Sequence, residues 1–219
     1  MKSISKMLLI GAMVAGVYTW PSQAQIILVN QWSFDGNLND SSGNVNNGTL
    51  AGSGSFYTNG PFSGHQGIYL TAANLISTTM AVGLPTAGNA DWSMNLWLYL
   101  TNTPISLAYM AGFAATATAS GNPVNGTARG LLAYGAPSNL GIYLWGKSYD
   151  LASGAPYPLN QWVMMTIVHN GSANTTSFYT NGVNIMTGAE TALVTVPSPY
   201  NQYIQVGYPG SGYTYAAGG

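Results

Sequence analysis

The stretch FDGNLNDSSGN, Phe34 to Asn44, holds two aspartates, three asparagines, two serines and two glycines. Asp35, Asn37 and Asn39 follow the start of a D-x-[DN]-x-[DN]-G calcium loop. The pattern then fails, because Asp40 stands where that loop needs glycine and Asn46 where it needs a bidentate glutamate. An EF-hand is excluded. Calcium accepts other oxygen sets, in which a loop gives carbonyls and a carboxylate or two and a distant strand gives the rest. The competing reading is a turn: Asp and Asn make Asx-turns, and Gly36 and Gly43 supply positive φ.

Acid and base chemistry is thinly supplied elsewhere. Hydrolysis of a glycosidic bond needs two carboxyls about 5–5.5 Å apart for retention, or about 6.5–9.5 Å for inversion. The chain has one glutamate, Glu190, and aspartates at 35, 40, 91 and 150, with no two acids on one strand face. Nucleophilic catalysis needs a base aimed at a serine or cysteine. There is no cysteine, and the only histidines are His65, in the turn SGHQG, and His169, at the end of an apolar strand where a structural hydrogen bond is expected. No HExxH or GxxxxGK[ST] motif occurs.

Aromatic residues offer binding chemistry instead. Tyr143, Trp145, Tyr149 and Tyr157 lie in GIYLWGKSYDLASGAPYP together with Lys147 and Asp150. Flat rings stack on sugar C–H faces while amides, hydroxyls and charged groups fix orientation, so Tyr143, Trp145, Tyr149, Asp150 and Tyr157 form a candidate ligand face. The alternative is that some of these rings are core, since aromatics carry much of a sandwich's burial. Asn125 and Arg129, bracketing the small-residue loop Ala114 to Thr127, are weaker candidates.

The elements that would position these residues are strands. No helical period is visible, and Gly, Asn, Pro and Ser recur every eight to fifteen residues, which predicts a sandwich or jelly roll of two antiparallel sheets. In DWSMNLWLYL, Trp92, Met94, Leu96, Leu98 and Leu100 share one face; Ser93, Asn95, Trp97 and Tyr99 share the other. QWVMMTIVHN is apolar on both faces and reads as a central strand covered on two sides. Asn181-Gly182 predicts a type I′ hairpin between Ser177–Thr180 and Val183–Ile185. Further strands are expected at Ile26–Phe34, Gly48–Tyr57, Gly67–Leu70, Leu75–Met80, Leu107–Phe113, Gly130–Tyr134, Gly141–Trp145 and Tyr203–Val206.

Residues 1–24 read as a secretory signal peptide. Lys2 and Lys6 precede the apolar run Met7–Val17, and Ser22-Gln23-Ala24 is a small-x-small cleavage site. The run falls short of the roughly 20 residues a spanning helix needs, so membrane insertion of the mature chain is not expected. Cleavage leaves one domain, residues 25–219, in which Arg129 and Lys147 face five acids, a formal −3. That balance argues against nucleic acid and suits an uncharged, hydroxyl-rich ligand.

Three segments in order, WSFDGNLNDSSGNVNNGTL, then DWSMNLWLYL, then PLNQWVMMTIVHNGSANTTSFYTNGVNI, resemble the laminin-G-like group of the concanavalin A-like jelly rolls, over roughly Trp32 to Gly207. The resemblance implies an all-β, concanavalin A-like fold and a glycan or extracellular protein as partner. It implies Ca2+ as cofactor, carried over to Asp40 and Asn44, with Asp35 as a third position. The family's hydrolase branch carries E-x-D-x-x-E, which is absent here. The family's closing strand after i-x-v-G is also absent, so the domain reads as C-terminally incomplete with an open edge. The resulting expectation is an exported, non-catalytic glycan-binding or adhesion module of a larger secreted or cell-surface protein. The alternatives are a polysaccharide-degrading hydrolase or lyase domain and a self-associating structural protein; the oligomeric state is not readable.

Overall fold

The computed structural model describes residues 27–70, 74–101, 109–117, 123–134, 139–143, 150–189 and 193–207. The signal-peptide reading, Trp145, Tyr149, Lys147 and Glu190 lie outside these residues. Among the described residues, thirteen strands form three antiparallel sheets. The largest contains β1 (Gly48–Ala51), β4 (Leu75–Thr78), β6 (Tyr109–Thr116), β7 (Arg129–Tyr134), β8 (Asn139–Tyr143), β9 (Leu151–Pro156) and β13 (Asn201–Val206), in the order β1-β4-β13-β6-β7-β8-β9. The second has the order β12-β11-β10-β5, from β5 (Trp92–Tyr99), β10 (Trp162–Asn170), β11 (Thr175–Thr180) and β12 (Val183–Ala189). A small hairpin of β2 (Gly54–Tyr57) and β3 (Gly67–Leu70) completes the set. This is the two-sheet sandwich that the sequence predicts.

The core lies between the two large sheets. From β10 it takes Val163, Met165 and Ile167, from β11 Phe178, from β5 Trp92, and from the facing sheet Phe113, Leu131, Leu132, Leu140 and Ile142. Each such side chain closed off from water contributes on the order of 1.5–3 kcal/mol. Trp92 joins the layers: its ring meets Phe113 edge-on at 5.5 Å and stacks on His169 of the neighbouring strand at 5.5 Å. His169 is buried, with Nδ1 3.0 Å from the Thr176 hydroxyl, and so has the structural role expected of it.

Alternation along β5 and β10 follows the sequence, with Met94, Leu96 and Leu98 packed toward the core. The expectation that β10 is covered on both faces needs correction. It is central because β5 and β11 flank it, but Trp162, Met164 and Thr166 on its outer face are only half-buried and Val168 is exposed. The Asn181-Gly182 turn has φ of 48° and 80°, as a type I′ turn requires.

Three strand expectations also change. Ile26–Phe34 is not a strand, since its described part makes one isolated bridge, Trp32 to Asp40, and is otherwise held by side-chain bonds. Gly48–Tyr57 divides into β1 and β2 at Gly52, whose φ of 93° breaks the run. LASGAP, outside every expected strand, is the edge strand β9, in which Ser153 Oγ donates to the Leu140 carbonyl at 2.7 Å. The loop Ala114–Thr127 is likewise more built than its composition implies. Ala114 to Thr116 belong to β6, and the Thr127 hydroxyl, itself buried, donates to the Val124 carbonyl.

Candidate functional site

The opening loop organises itself through Asp40. One carboxylate oxygen accepts from the backbone N–H of Gln31 (2.9 Å) and Ser42 (2.8 Å), the other from the Ser42 hydroxyl (2.8 Å) and the Asn46 N–H (2.9 Å). Partial burial alone would raise the acid, but these donors outweigh it and hold Asp40 below its ordinary value. Asn46 is buried and fully used: its amide donates to the Val29 and Val82 carbonyls, its side-chain oxygen accepts from Val82 N–H, and its carbonyl takes the Trp32 indole N–H. Gly36 and Gly43 have φ of 77° and 95°, as the turn reading requires.

Asp40 does not offer calcium a free oxygen as it stands. Its two oxygens already accept four N–H or O–H protons, and the Asn44 NH2 is held in the turn by the Leu28 and Val29 carbonyls and the Ser42 hydroxyl. Asp35 belongs to a different cluster, with Oδ1 accepting from Gln66 N–H at 2.7 Å and Oδ2 2.9 Å from His65 Nδ1. The Gln66 N–H first, then His65, hold Asp35 below the usual carboxylate range. No group of three or more His, Asp or Glu side chains converges among the described residues.

Of the predicted ligand face, Trp145 and Tyr149 lie outside the described residues, and Tyr157 is not at the surface. Tyr157 is 5% exposed, and its hydroxyl donates to the Leu132 carbonyl at 2.8 Å, so its ring is core and unavailable for stacking. Burial pushes its phenol pKa well above the ordinary value. Tyr143 ends β8, and Asp150 is half-buried just ahead of β9. Arg129 is 1% exposed, lies over the Phe113 ring at 6.0 Å and donates to the Thr127 carbonyl, which removes it from the candidates.

A second aromatic surface lies on the outer face of the four-stranded sheet. Antiparallel register places Tyr99 opposite Trp162, Trp97 opposite Met164, and Asn95 opposite Thr166, with Thr166 in turn opposite Tyr179 and Tyr179 opposite Asn184. Over this face folds the loop joining β2 to β3. Its Asn59 carbonyl accepts the Trp162 indole N–H at 3.1 Å, and a Cβ on Gly67 would stand 3.1 Å from the Trp162 ring. Phe62, at the crest of the loop, meets Trp97 at 5.1 Å with ring planes 76° apart. Phe62 is 53% exposed and Trp97 37%. The Asp35–His65–Gln66 cluster fastens this same loop, so Asp35 positions Phe62.

Trp97 and Tyr99 were visible in the alternation of DWSMNLWLYL as the minority face. Phe62 was not, because it reaches Trp97 through a loop fastened by a contact of thirty-residue separation, His65 to Asp35. The face carries no Lys, Arg, Asp or Glu among the described residues. It is a neutral surface of rings, amides and hydroxyls, suited to sugars and unsuited to proton transfer.

Comparison with solved structures gives the same architecture. Domain 4 of the extracellular arabinanase AbnA of Geobacillus stearothermophilus, solved in complex with arabinotriose, is 19% identical; the match covers 86% of this chain and 87% of that one, with a TM-score of 0.66. The binding domain of Paraclostridial Mosquitocidal Protein 1 is 13% identical over 82% of this chain and 46% of its own, with a TM-score of 0.57. The binding domain of Botulinum neurotoxin DC, in complex with rat synaptotagmin II, is 16% identical over 82% and 43%, with a TM-score of 0.51. The chain thus spans less than half of either toxin domain. A search of curated proteins by sequence finds no match. The laminin-G model of the concanavalin A-like lectin/glucanases superfamily matches residues 62–218, well over half of the sequence and every strand of the two large sheets but β1, and the chain belongs to that superfamily.

Proposed function

We propose that this chain is a non-catalytic glycan-binding module of an exported protein, with its ligand on the outer face of the four-stranded sheet. The observation that carries the reading is the Trp97–Phe62 pair, two exposed rings set at a steep angle on an uncharged sheet face. The resemblance to an arabinanase domain solved with arabinotriose, over nearly the full length of both chains, supports it. Asp35, Asp40 and Asp91 are engaged in structure: Asp35 and Asp40 hold loops, and Asp91 accepts from Gly171 N–H at 2.8 Å. The apolar run behind Lys2 and Lys6 and the absence of cysteine suit an exported protein that folds without disulfides.

Affinity electrophoresis through gels holding arabinan, xylan, mannan, β-glucan or polygalacturonate tests the binding. At least one gel retards the wild type, and Trp97→Ala loses that retardation while its melting temperature is preserved. Retardation in no gel overturns the glycan reading. Reducing-sugar release from the retarding polysaccharide stays at background; release above it restores the hydrolase alternative. For export, expression with residues 1–24 in place yields a secreted product beginning at Gln25, and a product retained in the cell counts against it.

A further inference from the structure

The outer face has a direction as well as a composition. Asn95, Thr166, Tyr179 and Asn184 are successive cross-strand partners on β5, β10, β11 and β12. Three interstrand spacings carry this row about 14 Å across the sheet. The Thr166 hydroxyl donates to the Asn95 side-chain oxygen at 2.6 Å, and Asn184 donates to the Thr187 hydroxyl at 3.2 Å. Those bonds orient both amides and leave the Asn95 amide N–H pair directed at no described partner. Beside the row, two residues along each strand and so on the same face, stand Trp97 and Met164.

We infer that this face takes an uncharged glycan chain lying across the strands, several rings long, with one ring held in the corner between Trp97 and Phe62. The inference rests on the glycan-binding reading and adds the chemical class and the binding mode. The corner offers two apolar surfaces 76° apart, so a sugar ring stacked on one is met along its edge by the other. A single ring fills only that corner. A chain continues over Thr166, Tyr179 and Asn184, whose hydroxyl and amide groups match its hydroxyls.

Charge sets the class. At one end, beside Phe62, Asp35 and His65 face each other at 2.9 Å. Sialylated or uronate chains would lose hydration against a face with no cation to compensate them. Neutral chains lose nothing of that kind, and their affinity is insensitive to salt.

The test uses oligosaccharides of one to six units cut from whichever polysaccharide retards the protein, titrated by calorimetry at about 0.05 and about 0.5 M NaCl. Affinity rises at least tenfold from one unit to three, levels off by about five, and is equal at the two salt concentrations. Trp97→Ala weakens every member of the series. Asn184→Ala, at the far end of the row on an exposed strand, weakens the trimer and longer members about threefold and leaves the monomer unchanged. Equal affinity for one unit and three, binding that weakens with salt, or trimer binding untouched in both variants overturns the inference. Retardation by polygalacturonate alone overturns it too, while leaving glycan binding intact. Retardation by nothing removes the reading beneath it.

Discussion

The opening loop and the outer face of the four-stranded sheet are opposites in appearance and in use. The loop is dense in carboxylates and amides, the residue types of a metal or catalytic site, yet Asp40, Asn44 and Asn46 spend theirs on the loop's own backbone and side chains and on the adjoining segments. Asp40 is saturated by four donors and Asn46 by bonds in three directions. The sheet face is built of types that ordinarily fill cores, Trp97, Phe62, Met164 and Tyr99, and it leaves Trp97 and Phe62 open to water. Polar groups signal function where they are left uncommitted, and apolar groups where they are left uncovered.

The sharpest division comes from two substitutions. Asp40→Ala strands four donors and costs about 2–4 kcal/mol of unfolding free energy, measured by chemical denaturation. Glycan affinity per folded molecule is unchanged. Trp97→Ala does the reverse, shifting stability by roughly 0.5 kcal/mol or less. If Asp40→Ala weakened binding in fully folded protein, the loop would belong to the site and the contrast would fail.

Gly67 probes the seam between the two regions. A valine there drives its side chain into the Trp162 ring, 3.1 Å from the Cβ position, and costs about 1–3 kcal/mol as an overpacked contact. The β2–β3 loop lifts, so Phe62 leaves Trp97 and glycan affinity falls alongside stability. Unchanged affinity in that variant would mean that Phe62 is dispensable.

Acid gives a smaller effect. Asp35 and Asp40 both have folded pKa values below the ordinary 3.8, so each contributes stability that is complete above that value and lost as pH falls through it toward the folded pKa. Melting temperature should therefore decline more steeply below about pH 4 in wild type than in Asp35→Asn, which has no carboxylate there to protonate. Parallel profiles would show that Asp35 does not fasten the β2–β3 loop. The smallest expected effect is that of calcium. Melting temperatures with calcium and with chelator should agree within about a degree, whereas a rise of several degrees with calcium would return the opening loop to the role its sequence first implied.

The fold was legible where local pattern and tertiary context agree. The Asn181-Gly182 turn is satisfied by neighbours close in sequence, the alternation of DWSMNLWLYL is met on its core face by the equally regular β10, and β5, β11 and β12 lie where they were expected. The strand β9 was hidden because Gly154 and Pro156 are turn residues, and its pairing rests on β8 and on the Ser153 hydroxyl. Ile26–Phe34 misled in the other direction, since a β-rich composition does not supply a ladder partner. Tyr157 and Trp97 show the same limit at the site. Each is an aromatic at a strand or its end, and only the packing of distant strands makes one core and the other surface.

The order of the seven-stranded sheet bears on when this chain can become folded. β13, Asn201–Val206, lies between β4 and β6 and pairs with both. The β1–β4 pair therefore cannot join the rest of its sheet until a segment more than 120 residues downstream has arrived. Pairings of such separation are reached late and slowly. The strands β6, β7, β8 and β9 pair in sequence order and can form as they are made, whereas the sheet is complete only once β13 has bridged them to β1 and β4.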